Sequence, residues 1–184
     1  MKNYPKYIKS TLNTVIRDMS KHPEDFCRSP GKDFTRKRKL PFEKILSLLV
    51  KMGGHSLRDE MLDCLDFEEM PASVSALVQQ RRKILPEALE YLFHKFTATC
   101  EKPKLYKGYR LLAVDGSDLQ FTASPNDPLS YFPGVNGQKP YSFLHLNALY
   151  DLNSNLYLDA VVQKRRAANE NAALISMVDH SEIH

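Results

Sequence analysis

The sequence predicts an α+β chain: a helical first part, then antiparallel strands and one further helix. Three observations carry this reading. Apolar residues recur at three- and four-residue spacing through the first hundred positions, the period of a helix face. Beyond Lys102-Pro103 that texture gives way to short apolar or alternating runs separated by Asp, Asn, Gly and Pro. Charge divides at the same place. Residues 1–102 carry 19 Lys and Arg against 14 Asp and Glu, whereas residues 103–184 carry 7 against 8. We therefore place a helical region at 1–102 and a strand-rich domain at 103–184.

The first helix spans Ile8–Met19, with Ile8, Leu12, Val15, Ile16 and Met19 on one face. A broken stretch with Pro23, Pro30 and Gly31 leads to the basic cluster Arg36-Lys37-Arg38-Lys39. Pro41 suits the first turn of a helix over Phe42–Met52, and Gly53-Gly54 ends it. Ser56 is placed to cap Leu57–Leu65, with Asp59 and Glu60 favoured in its first turn by the helix dipole. A turn through Glu68-Glu69-Met70-Pro71 follows. Ser73 then caps Val74–Leu85, and Pro86 opens Glu87–Thr99 with Leu89, Leu92, Phe93 and Phe96 on its face.

In the second part, Arg110–Leu119 reads RLLAVDGSDL. An apolar run bounded by turn residues predicts a strand buried on both faces and ending at Asp115. A carboxylate there is costly unless paired, hydrogen-bonded or bound to a metal, so Asp115 is a candidate site residue. Asp118 and Asp151 read as turn residues, and His145 and Asp159 as surface or packing residues. The stretch Phe121–Pro140 has loop composition. Tyr141–Tyr150 alternates, with Leu144, Leu146, Ala148 and Tyr150 on one face. After Asp151–Asn155, a turn, Leu156, Leu158, Ala160 and Val162 resume a one-face alternation, completing a hairpin. Asn169 caps the last helix, and Glu170 suits its positive end.

No window approaches the length of a membrane span, and MKNYPKYIKST lacks the apolar core of a signal peptide. Cys27, Cys64 and Cys100 are odd in number and widely spaced, as in buried thiols of a reducing cytoplasm. A cytoplasmic location without membrane partners is the expectation. The basic excess of the first part points to a polyanionic partner there.

The strand carrying Asp115, the long loop, the hairpin and the Asn-Glu helix start follow the order that opens a ribonuclease-H-like fold. The wording AVDGSDLQF, YSFLHLNALYDLNSNLYLDAVVQ and NENAALISMVD resembles the DDE transposases of the insertion-sequence-four family, closely over residues 110–180 and loosely from 40. The resemblance makes Asp115 the first of three catalytic, metal-binding carboxylates and 103–184 an incomplete catalytic domain. The second aspartate and the glutamate would lie beyond His184, so the expectation is a truncated chain.

For the intact family the resemblance implies Mg2+ or Mn2+ and metal-dependent phosphodiester hydrolysis and transesterification of DNA. Hard ions of this kind take oxygen ligands and can both activate the attacking oxygen and stabilise the leaving one. It also implies double-stranded DNA, the terminal inverted repeats of the element, as partner, with self or a full-length transposase as further partners. Leu57–Leu65 and Val74–Leu85 resemble a helix-turn-helix with a long connection. Gln79, Gln80, Arg81, Arg82 and Lys83 on or beside its second helix are candidate DNA contacts, since amides and guanidinium groups read base edges and ammonium groups bind phosphate. Arg36, Lys37, Arg38 and Lys39 are candidate phosphate contacts. The alternative is a non-catalytic protein that occupies element ends or inhibits a full-length enzyme.

Overall fold

The computed structural model describes residues 4–36, 38–64, 72–100 and 104–180. The chain is mixed α and β and divides into two compact units, Met1–Cys100 and Glu101–His184.

The first unit contains helices α1 (Tyr4–Met19), α2 (Phe42–Lys51), α3 (Leu57–Cys64), α4 (Val74–Arg81) and α5 (Glu87–Cys100), with a 3-10 turn at Pro23–Phe26. Its core gathers Val15, Ile16 and Met19 of α1, Phe42, Ile45, Leu46 and Leu48 of α2, Met61, Leu77, Ile84, Ala88 and Leu92. Two caps have side-chain partners. Ser56 Oγ accepts from Asp59 N–H and donates to the Asp59 carboxylate, and Ser73 Oγ accepts from Ala76 N–H. Glu60, nearly buried, accepts the N–H groups of Gly53, Gly54 and His55, each at 2.8 Å. Those bonds, the one from His55 foremost, hold its carboxyl below the ordinary value. They also stiffen the turn between α2 and α3.

The α4 helix ends at Arg81, four residues short of the predicted Leu85. The reason is a competing backbone partner. Arg28 N–H donates to Lys83 C=O at 2.8 Å, and Leu85 N–H donates to Phe26 C=O at 3.0 Å. Cys27 and Ile84 thus form an antiparallel bridge. This lacing pulls residues 82–85 out of the helix. The predicted turn at 68–71 and the end of α3 at Leu65 lie outside the described residues.

The second unit contains β1 (Leu112–Phe121), β2 (Tyr131–Phe132), β3 (Tyr141–Asp151), β4 (Leu156–Lys164) and α6 (Glu170–His180). The sheet is antiparallel. β1 pairs one edge of β3, while β2 and β4 share the other, β2 at Tyr141–Ser142 and β4 along Leu144–Asp151. Among the described residues no strand pairs the outer edge of β1. Asn169 Oδ1 accepts from Ala172 N–H and caps α6, whose Ala173 and Met177 pack on Leu149 and Leu158.

Four expectations are corrected here. β1 is not buried on both faces; Val114, Leu119 and Phe121 are exposed. It also does not stop at Asp115 but continues to Phe121, because Gly116 to Asp118 find ladder partners at Asn147 to His145. Asp118 is therefore a strand residue rather than a turn residue. In β4 the one-face alternation fails at an irregularity opposite Leu149/Tyr150. A bulge shifts the phase by one residue, so Leu156 and Leu158 join the α6 cluster while Val162 is 57% exposed.

Candidate functional site

Two places gather the candidate residues, one in each unit. In the second unit the register decides what Asp115 can meet. Asp115 lies opposite Ala148, and Ser117 opposite Leu146, so these four share a face with Leu119, Leu144 and Ala160. Asp115 is exposed in mid-strand, and one carboxylate oxygen accepts from Gly116 N–H at 2.9 Å.

The opposite face carries Gly116, Asp118, His145, Asn147 and Gln163, beside α6. His145 Nδ1 lies 2.6 Å from Asp118 Oδ1, and Arg165 Nε donates to Asp118 Oδ2 at 2.9 Å. Hydrogen bonding from His145, then from Arg165, holds the Asp118 carboxyl below its ordinary value. His145 Nε2 is buried, 3.4 Å from Glu170 Oε1. A Cβ at position 116 would stand 2.7 Å from that nitrogen, so only glycine leaves room for the ring. Asn147 Nδ2 donates to Gln163 Oε1, which also accepts from Asn169 N–H. The polar groups thus clamp the sheet to the start of α6. Asp118 and Asp115 point to different faces, so the two carboxylates do not form a pair.

Asp151 ends β3 fully buried. Its oxygens accept from Asn153 and Ser154 N–H and from Arg110 Nε at 2.9 Å. Burial raises this carboxyl, but those donors outweigh it and hold it below the ordinary value. Asp159 is also buried, with His180 Nδ1 at 3.9 Å from Oδ2. Cys27 and Cys100 are buried and Cys64 half-buried, all free thiols; burial pushes the first two thiols up.

In the first unit the fold joins candidates that the sequence separates. A cavity of about 270 Å³ is lined by Lys32, Phe34, Arg36, Arg38, Gln80 and Lys83, together with Gly31, Thr35 and Leu40. The lacing of Phe26–Arg28 onto Lys83–Leu85 lays the loop over the end of α4. Asp33 stiffens that loop: its carboxylate accepts from Ser29 N–H at 3.1 Å and stands 3.6 Å from Lys83 Nζ. Phe34, at φ 57°, sets its ring edge-on to Phe42 at 5.4 Å. Lys39 is exposed, outside the cavity lining, as are Gln79 and Arg81 on α4 and Arg82 at its C-cap. Arg82 C=O accepts from Arg28 Nε. Lys37 lies outside the described residues.

One expectation changes. Gln80 does not stand beside Gln79 on an exposed reading face; it is 8% exposed and turned into the cavity. Sequence reasoning also missed Lys32 and Phe34, whose only signal was the Pro30-Gly31 turn just before them. Among the described residues no three His, Cys, Asp or Glu side chains gather as a metal-binding group, and no helix is long and apolar enough to cross a membrane. Compared with known protein families, curated proteins and solved structures, the chain finds no match.

Proposed function

We propose that this chain is part of a DDE transposase of the insertion-sequence-four type, in which the helical unit contacts DNA and the sheet presents Asp115 to the catalytic face. The observation that carries the reading is the convergence of Arg36, Arg38, Gln80 and Lys83 on one cavity, with Arg81 and Arg82 exposed beside it. Two candidate DNA-contact segments some forty residues apart become one basic surface. Such a surface attracts a polyanion without reading its sequence.

The sheet supports the second half of the reading. β1, β3 and β4 pair antiparallel in the order expected of a ribonuclease-H-like opening. Asp115 is exposed on β1, with one carboxylate oxygen bonded only to its own strand. As a metal site the described residues are incomplete: one carboxylate stands on that face and no second acidic side chain joins it. Hard divalent ions are held by one or two carboxylates plus phosphate oxygens and water. Asp115 alone would supply one ligand of such an ion rather than a complete site. That same observation favours the second reading, a non-catalytic protein that occupies element ends.

The test is binding of a duplex bearing the terminal inverted repeats, followed by fluorescence anisotropy across a salt series. Affinity should fall steeply with salt, and the Arg81→Ala/Arg82→Ala variant should reduce the logarithmic salt slope by about two. Absence of binding, or binding indifferent to both salt and the substitutions, overturns the DNA reading. Nicking or strand transfer by the purified chain with Mg2+ would overturn the view that Asp115 lacks partners.

A further inference from the structure

The cavity over the end of α4 is more than a stretch of basic surface. We propose that it is a phosphate seat, which takes one phosphate group of a nucleic acid and orients it with the side-chain amide of Gln80. The proposal deepens the DNA reading above and relies on it for the source of the phosphate.

Four cationic side chains, Lys32, Arg36, Arg38 and Lys83, line the cavity, and among the described residues no carboxylate does. Asp33, which is not among the lining residues, stands 3.6 Å from Lys83 Nζ. At the inner wall lies Gln80, more than nine-tenths buried. Phosphate oxygens are acceptors, so they match both the amide N–H groups and the surrounding cations.

Phe34 and Leu40 provide an apolar wall on which those charges act more strongly than in open water. The site is also preformed. Phe34 is locked against Phe42, and the loop is tied by Asp33 to Ser29. Little ordering is therefore left for binding to impose. The cavity is too small for a duplex, and Gln80 is too deep to reach a base edge in a groove. One phosphate fits; a read base pair does not. A terminal phosphomonoester and an internal phosphodiester share this chemistry.

The test uses the whole chain. Glutamine side-chain amides are followed by NMR while inorganic phosphate is added, with chloride at matched ionic strength as control, and Gln80 is assigned through bonds. The Gln80 NH2 signal should shift saturably with phosphate and stay in place with chloride. Gln80→Leu and Lys83→Met should each weaken duplex binding about tenfold while circular dichroism stays unchanged; exposed Gln79→Leu should change it less than twofold.

An unmoved Gln80 signal overturns the seat, whatever the variants do. So does a folded Gln80→Leu variant that binds duplex as tightly as the parent, and in that case salt-sensitive binding leaves the DNA reading standing. A Gln80 shift with phosphate in a chain that binds no duplex upholds the seat and removes the DNA reading. Stronger competition by a duplex with 5′-phosphates than by the same duplex without them assigns the terminal group, and equal competition assigns the backbone.

Discussion

The two faces of the sheet differ in a way that reverses the ordinary expectation for a strand. The side of β3 nearest α6 carries His145, Asn147, Leu149 and Asp151, all buried. The other side carries Leu144, Leu146 and Ala148, all less buried. Apolar alternation identifies which residues share a side, but not which side is covered. Coverage comes from α6, and the polar groups beneath it are tolerated because most are paired: His145 with Asp118, Asn147 with Gln163, Asp151 with Arg110. The open side, by contrast, leaves Asp115 within reach of solvent.

The sharpest way to break this contrast is to remove Asp151. Truncating one member of a buried ion pair strands its partner, so Asp151→Ala should cost about 4 kcal/mol in urea unfolding. Acid should mimic it. Because the folded carboxyl sits below its ordinary 3.8, its contribution is complete above that value and fades as pH falls through the folded value. In Asp151→Asn that part of the acid dependence should vanish. Leu149→Ala, at the centre of the cluster with Leu158, Ala173 and Met177, comes next, at about 3 kcal/mol by calorimetry.

Gly116 tests the same face more finely. A methyl group there meets the His145 ring at 2.7 Å, so Gly116→Ala should cost about 2 kcal/mol. The double variant with His145→Ala should recover part of that loss. Purely additive losses in the double-mutant cycle would show that the ring is not what requires glycine.

These elements also show what could be read beforehand. The caps at Ser56, Ser73 and Asn169 were legible because a cap is a local bond between a side chain and a backbone a few residues on. Gly116-Ser117 misled because turn-forming residues stay extended when a ladder and a ring demand it. The early end of α4 was hidden, since the backbone that competes for residues 83–85 comes from Phe26 and Arg28. The basic cavity was half legible: Arg36, Arg38, Gln80 and Lys83 could be chosen by chemistry, yet nothing local says that they meet. The phase shift in β4 was not legible either, because a bulge is set by both strands at once.

The smallest effect belongs to the open face, and there the comparison is most exposed to refutation. If nothing in this unit depends on that side, Leu119→Thr and Val162→Thr should each stay within about 0.5 kcal/mol of the parent. Asp115→Asn belongs with them. Its Oδ1 bond to Gly116 N–H can be kept by an amide oxygen, so the melting temperature should not move. Were Asp115→Asn strongly destabilising, the carboxylate would be part of the packing of the sheet. Its exposure would then no longer argue for a group held ready for a ligand.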